Sequence, residues 1–572
     1  MIVHVKSVHG KEQEALEKLK SRGTGKASNQ ARDSFENADE QLILALSTSS
    51  VPFNFLKNHS FRKFVFALNS EYVLMSPDTL KRRLERNSEF YENLVKDQLT
   101  DMDRCFLTFD GWDGKYENVS IYAVFVYFVD KLFEVKKVFL GVRHLNGAAD
   151  AINVGNLITD TMKQFGFGVE KVIGAVCDAG SNLKSFCDRN ALYHLHCTAH
   201  SVALIVKKAC ENHTVKEVLS IVTSLASHLS RSKVERNKFR SRSKALKIGG
   251  RIPLPFCVTR WGGCVLLAQC YLTHYESISS LNRFQEFVLS STQKETLEEF
   301  VEMMVPFIEA IEQAESDSSF CSEILPRYAS LYHHISQQNQ RKAVVRILKD
   351  ETVKRYTDYE WNDVALISTF VDARFAYMED ILRLRKWEEI EEIVALYCDS
   401  FTAPRTDGIN TNSTSPPLPK KTRTSSSFLN FINSKKSHHS GTSTTKCEMV
   451  EYEASINSGR PSIESSPMDF WKTNRERFPK LAHLARHFLS SPQSSAQVER
   501  LFSRCGEILA STRRNRLSPK TLNDLLLNSA LAKMKKEESS DDSSVDDDEE
   551  DRATDSDLWS PSQTIQGHPI NF

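Results

Sequence analysis

The sequence predicts an α/β fold in which a mixed sheet is interrupted by a large all-helical insertion and completed by a helical C-terminal region. Three observations predict it. Apolar runs of strand length, rich in β-branched and aromatic residues, fall between 105 and 196. Amphipathic patterns of helical period replace them from 262 to 399. A helical pattern then returns at 467, after a stretch dominated by Ser, Thr and Pro.

Taken in order, residues 1 to 100 are charged and helical in pattern, and Phe53, Phe55, Phe61, Phe64 and Phe66 are expected to form a small apolar cluster. Runs at 105 to 110, 118 to 129 and 134 to 142 read as strands, the last two joined by a turn at Asp130-Lys131. A helix over about 150 to 166, a strand ending at Asp178, a short strand at Tyr193 to His196 and a helix from Thr198 follow. The order β-β-β-α-β-α-β-α, with acids closing the first and fourth strands, fits a mixed sheet in which those two strands are neighbours. That is the ribonuclease-H-like arrangement, expected over residues 101 to 261. Leu297, Phe300, Val301, Met304, Val305 and Ile308 have the helical spacing of the insertion at 262 to 399. Residues 400 to 466 read as a disordered linker, 467 to 532 as the region that completes the core, and 533 to 572 as a disordered acidic tail.

That tail conceals the charge of the rest. The chain of 572 residues holds 74 Lys or Arg and 74 Asp or Glu, yet twelve acids and only Arg552 lie beyond residue 536, leaving a body with a net charge of +11. A basic body favours polyanion partners, duplex DNA among them. The twelve Cys are scattered without a Cys-x-x-Cys pair, which points to a reducing compartment. The longest nearly apolar run, Val119 to Val129, is far shorter than the roughly 20 residues that span a bilayer, so no membrane role is expected.

Three acids are placed for chemistry. Asp110 and Asp178 each end an apolar run, which delivers a carboxylate to the rim of a sheet. Glu499 follows Ser494 and Gln497, which have capping-box spacing, and stands beside the apolar stripe Val498, Leu501, Phe502, Cys505, Ile508 and Leu509, facing either a sheet edge or solvent. Carboxylate oxygens suit a hard ion such as Mg²⁺ or Mn²⁺. Two such ions, about 3.5–4 Å apart, activate a water or 3′-hydroxyl and stabilise the leaving oxygen of a phosphodiester. A lone strand-end Asp more often caps a turn. Asp130, in a hairpin turn, and Asp372, in a helical region, are read in that way. Cys197 and His200 are two ligand types with no second pair, which makes a poor zinc site. The run from Arg231 to Arg251, including Arg236, Lys238 and Arg240, is dense enough to contact phosphates, or is an ordinary solvated face.

Several blocks in order resemble the hAT superfamily of DNA transposases and the host proteins derived from them, many of which carry a BED-type zinc finger. Thr108-Phe109-Asp110-Gly111-Trp112 is similar to the family's first-Asp motif, and Cys177-Asp178-Ala179-Gly180-Ser181-Asn182-Leu183 to its second. Cys197-Thr198-Ala199-His200 resembles the Cys-x-x-His block, Thr259-Arg260-Trp261 the Arg-Trp block, Phe370-Val371-Asp372-Ala373-Arg374-Phe375 the Leu-Asp-Pro-Arg-Phe segment, and Pro467 to Leu531 the C-terminal dimerisation region.

The resemblance implies that Asp110, Asp178 and Glu499 form a catalytic, metal-holding set. It implies that His200 meets a phosphate or extruded base beside Cys197, with a buried Cys and a core His as the equal alternative. Arg260 and Trp261 would meet DNA, Trp261 stacking on a flipped base for about 1–3 kcal/mol, with a core Trp as the alternative. Trp471, Leu501 and Phe502 would serve self-association. Asp113 and Ala179 depart from the family pattern next to both Asp, and such neighbours can change metal affinity or activity about 10–100-fold. His4-Val5-Lys6-Ser7-Val8-His9 resembles the end of a BED finger, but no Cys precedes it, so a truncated finger and no bound zinc are expected. Together with the exposed cluster Lys420-Lys421-Thr422-Arg423, these features point to a nuclear protein, either a transposase or a non-catalytic regulator or scaffold derived from one.

Overall fold

The computed structural model describes residues 29–113, 120–145, 147–178, 180–255, 262–402, 444–509, 514 and 517–540. The finger remnant at 4–9, Arg260, Trp261, the cluster at 420–423 and the tail beyond 540 lie outside the described residues. The chain divides into two compact units, residues 1–91 with 524–572 and residues 92–523.

The first unit contains α1 (Asn29–Ser47), α2 (His59–Leu68), the first part of α3 (Pro77–Leu99) and most of the last helix, Pro519–Ser540. Asp39 of α1 is buried and ionically satisfied, accepting from the Tyr72 hydroxyl at 2.7 Å and from Arg83 Nη2 at 2.8 Å. Asn528 of the last helix donates to the Leu84 carbonyl at 3.0 Å and accepts from Asn87 at 2.9 Å, joining the two ends of the chain through α3. The expected Phe cluster does not form. Phe53 is buried, but Phe55, Phe64 and Phe66 are 39%, 58% and 48% exposed, and α2 buries no side chain. An apolar stripe is buried only against a facing surface, and the Phe55–Phe61 ring contact, centroids 4.7 Å apart, supplies little of one.

The second unit is built on five strands: β1 (Cys105–Asp113), β2 (Ser120–Val129), β3 (Val135–His144), β4 (Val172–Cys177) and β5 (Tyr193–His196). Their order is β3-β2-β1-β4-β5. β1 pairs antiparallel with β2 and parallel with β4, so the strands bearing Asp110 and leading to Asp178 are neighbours, as the sequence pattern predicts, but β1 does not close at Asp110 and pairs with β2 as far as Asp113. β2 is buried from Ile121 to Val129 without alternation, because both of its faces are covered. α4 (Ala151–Gln164) crosses from β3 to β4 and is capped by Asp150, whose carboxylate accepts from the amides of Ile152 and Asn153. α5 (Ser181–Arg189) separates β4 from β5, and α6 (Thr198–Cys210), α7 (His213–Arg231) and α8 (Lys233–Ala245) follow.

The expected helical insertion is present as α9 (Gly263–Thr273), α10 (Tyr275–Ser279), α11 (Ser291–Glu315), α12 (Ile324–Gln337), α13 (Ala343–Glu360), α14 (Asp363–Phe370) and α15 (Trp387–Thr402). It also closes the sheet edge. The Tyr359 hydroxyl donates to the His196 carbonyl at 2.8 Å and Asn362 Nδ2 to that of His194 at 3.1 Å, which satisfies β5 on the side where no further strand pairs.

Of the stretch expected to be disordered at 400–466, residues 403–443 lie outside the described residues and the part from 444 on is ordered. Residues 444–458 form α16 (Thr444–Ser458), with Met449, Tyr452 and Ile456 buried at helical spacing, a stripe that the Ser and Thr content of the whole stretch obscures. α17 (Pro467–Asn474), α18 (Pro479–Phe488), α19 (Ala496–Leu509) and α20 (Pro519–Ser540) complete the chain. Residues 463–465 are tied to the insertion by the buried pair of Asp372 and Arg374. Arg374 Nη2 lies 2.8 Å from Asp372 Oδ2, while its Nη1 donates to the carbonyls of Ile463 and Ser465. Asp372 is thereby structural, as its sequence position suggests.

Trp471 corrects one expectation. It is fully buried within the chain, stacks on Tyr452 with centroids 5.6 Å apart, and donates its indole N–H to the Val371 carbonyl at 2.7 Å. It holds the C-terminal helices to the insertion rather than presenting a face to a second copy. Trp471→Ala is expected to lower unfolding stability by about 3–5 kcal/mol in a urea titration. A loss under about 1 kcal/mol accompanied by weaker self-association would return the residue to an outer interface.

Candidate functional site

Parallel register brings the two Asp together. The pairing of β1 with β4 ends at Thr108 opposite Val176, so continuing both chains by two residues sets Asp110 beside Asp178 on the same side of the sheet. Each carboxylate is oriented by the glycine that follows it. Asp110 Oδ1 accepts from the Gly111 amide and Asp178 Oδ1 from the Gly180 amide, both at 2.8 Å. Neither glycine tolerates a side chain: a Cβ on Gly111 would meet the Tyr122 ring at 2.8 Å, and one on Gly180 would meet Asp178 Oδ1 at 2.8 Å.

Glu499 lies in the first turn of α19 and feels the charge of both Asp. Ser494 and Gln497 do not form the expected capping box; Ser494 Oγ accepts from the Ala496 amide at 3.4 Å, and the helix starts at Ala496. The preceding residues are held extended by the sheet unit, since the Thr198 amide donates to the Gln493 carbonyl at 2.9 Å and the Ser495 amide to Cys197 Sγ at 3.4 Å. Trp112 then stacks on Phe502 at 6.4 Å, three residues beyond Glu499, which seats α19 on β1. Arg500 donates to the Glu315 carbonyl at 2.8 Å and pairs with Asp317, which also meets Lys137 of β3 at 3.0 Å.

Asp110 and Glu499 both feel burial and the charge of Asp178. Burial and the charge of Asp178 push Asp110 up to about 6. Burial, then Glu315, Asp110 and Asp178, push Glu499 up to about 8. This answers the question left by periodicity, because Glu499 faces the strand ends and is half-buried. It belongs to a cluster whose repulsion a divalent cation would relieve.

Two histidines that the sequence reading passed over lie on β5. His194 and His196 occupy alternate strand positions, a spacing that was available in the sequence, and the rings of His196 and His200 lie 5.6 Å apart. Burial lowers all three imidazoles, His196 further lowering both His194 and His200, while the charge of Asp178 opposes this at His196 and His200. His200 is half-buried beside Asp178, in a position to offer a neutral imidazole.

Other expected contacts need correction. Cys197 is fully buried and burial pushes its thiol up to about 11, so it anchors the chain before α19 and cannot touch DNA. Arg236 donates to the carbonyls of Leu229 and Ser230 at 3.0 and 2.6 Å, closing the C-terminus of α7. Lys238 and Arg240 are exposed on α8, with Lys238 3.7 Å from Glu235. Phe502 is buried against Trp112, and Leu501 is half-buried.

Residues 449–529 match the family model of the hAT C-terminal dimerisation region. The chain is 21% identical over 478 residues to the Transposable element Hobo transposase of Drosophila melanogaster, covering 75% of this chain and 71% of that protein. Together these two findings support membership of the hAT superfamily. A second relative is tpeD of Talaromyces stipitatus, named as a candidate transcriptional regulator. It is 19% identical over 540 residues, which cover 85% of this chain and 61% of that protein, so the chain spans less than two thirds of its length. These likenesses support a transposase-derived hAT protein that self-associates. Among the described residues no helix is long and apolar enough to cross a membrane.

The raised acids carry a sign that can be measured. Asp110 and Glu499 hold protons in the folded chain that the unfolded chain has already released, so the stability they contribute at low pH is lost as pH rises through about 6 and then about 8. The metal-free melting temperature should fall over that window, and Asp110→Asn with Glu499→Gln should flatten the fall. Mg²⁺ should raise the melting temperature more at the alkaline end than at the acid end. A wild-type profile that matches the double variant would show that the acids are not coupled.

Proposed function

We propose that this hAT chain is a nuclear, DNA-binding, transposase-derived protein that dimerises through its C-terminal region and cleaves phosphodiesters at Asp110, Asp178 and Glu499 on a ribonuclease-H-like sheet. One observation carries the reading: Asp110 of β1 and Glu499 of α19 are both raised, first by burial and then by neighbouring acids that include Asp178 at the end of β4. The donor set is all oxygen, which fits Mg²⁺ or Mn²⁺. When bound, such ions would supply Lewis acidity to the attacking and leaving oxygens of a phosphodiester. Asp110 and Asp178 would hold them with the carboxylate oxygens left over from the Gly111 and Gly180 amides. Glu499 would close the set from the helix side, and His200 would donate a hydrogen bond to a phosphate oxygen.

A second reading is a non-catalytic regulator of transcription on the same fold. It is favoured by the regulator name of tpeD and by the spacing of the acids, because the His, Cys, Asp and Glu group drawn within 4.8 Å among the described residues lies elsewhere. Cleavage of duplex DNA by the full chain with Mg²⁺ or Mn²⁺ separates the two. The catalytic reading expects Asp110→Asn, Asp178→Asn and Glu499→Gln each to lower cleavage by at least about 100-fold while DNA binding persists. Binding without any metal-dependent cleavage by the wild type supports the regulator, and no binding at low salt overturns both.

DNA affinity should fall with salt at a slope near −0.9 per phosphate contact, so Lys238→Ala and Arg240→Ala should each reduce the slope by about 1. Arg236→Ala should instead destabilise the end of α7 and leave the slope unchanged. A slope that drops with Arg236 alone would reverse this assignment.

A further inference from the structure

Outside the acid rim, one cluster joins the start of β1 to α18. Asp103 precedes β1 by two residues, while His483 and His487 stand four apart on α18, the spacing that puts two side chains on one helix face. His487 Nε2 lies 2.9 Å and His483 Nε2 3.8 Å from the same oxygen, Asp103 Oδ2, and the two rings are 4.3 Å apart. All three ligand atoms fall within 4.8 Å of one another. In a tetrahedral zinc site with bonds of about 2.0–2.1 Å, ligand atoms are separated by about 3.3 Å, a value that the two distances to Asp103 bracket.

We propose that Asp103, His483 and His487 form a second metal site, selective for Zn²⁺-class ions and independent of the three acids. Two imidazoles and one carboxylate are a borderline donor set that prefers such an ion to Mg²⁺. The site lies seven residues before Asp110, about 20 Å away along an extended chain, at the other end of the same strand.

Its ligands reach the charge states that metal binding requires, and an incoming ion would displace the proton that His487 Nε2 donates to Asp103 on to Nδ1. The His487 hydrogen bond holds Asp103 down at about 2, and burial, then the neighbouring His487, lowers His483 to about 4. Burial also lowers His487. The two nearby guanidiniums do not occupy the carboxylate. Arg486 donates to the carbonyls of Asp130 and Val129, and Arg104 to that of Glu170. His487 is buried, whereas the side chains of His483 and Asp103 are 38% and 50% exposed, so an ion would keep an open position for water and would staple the C-terminal region to the first strand.

This proposal departs from the expectation of no bound zinc, which rested on the incomplete ligand set at residues 4–9. The two Cys-independent ligand types were separated by most of the chain, and no Cys marked them.

The test is Zn²⁺ binding to the full chain by calorimetry, paired with Co²⁺ substitution read by its visible absorption and with thermal melting. Wild type should bind one Zn²⁺ equivalent that Asp103→Asn and His483→Ala, both at exposed positions, each weaken at least about 10-fold. Zn²⁺ should raise the melting temperature of the wild type but not of either variant. Asp110→Asn with Asp178→Asn should retain this Zn²⁺ equivalent, which keeps the result separate from the fate of the catalytic reading. The proposal is overturned if the wild type takes up no Zn²⁺, or if both variants bind it as the wild type does.

Discussion

The chain running from Phe488 to Ser495 is the constraint on which the second unit depends. It passes between the sheet and the insertion and gives its main chain to both. The Thr198 amide donates to the Gln493 carbonyl, the Cys321 amide to that of Ser491, and the Ser368 hydroxyl to that of Phe488, at 2.9, 3.1 and 3.0 Å. The Ser495 amide ends on Cys197 Sγ. Buried amides and carbonyls without partners are costly, so this segment cannot withdraw from one neighbour without exposing groups of the other. Its course fixes where α19 begins, and the start of α19 sets the position of Glu499.

The acid rim inherits that constraint through two different contacts. Trp112 stacks on Phe502, and Arg500 links the end of α11 to Asp317 and so to β3. The first side chain lies two residues from Asp110 and the last stands next to Glu499. Positioning is therefore carried by residues interleaved with the chemical ones, which couples the placement of the carboxylates to the packing of α19. Burial first, and then the charges of neighbouring acids, raise the proton affinities of Asp110 and Glu499.

The same C-terminal region serves both fold and assembly. Residues 449–529 match a dimerisation region, yet Trp471 and Phe502 are spent inside the protomer, one on Tyr452 and Val371 and the other on Trp112. Side chains still exposed after these contacts are the ones available to a second copy. The cluster of Asp103, His483 and His487 adds a polar tie between this region and the sheet at the far end of β1.

The sequence by itself determined the strands and their acids. Alternation, continuous apolar runs and turn residues are local signals, and they located β1 to β5 and the crossover helix α4, although β1 runs past the expected end at Asp110 to Asp113. It also singled out Glu499 as the candidate third acid, although helical period left its direction open. Composition misjudged 444–458, because a buried stripe at Met449, Tyr452 and Ile456 is diluted by the Ser and Thr around it. Tertiary structure alone decided what depends on contacts between distant segments: that Glu499 faces the rim, that Cys197 is an acceptor for a main-chain amide, that Arg236 closes a helix, and that Asp103 meets His483 and His487. None of these has a local pattern, since each partner is chosen by the packing of elements far apart in the chain.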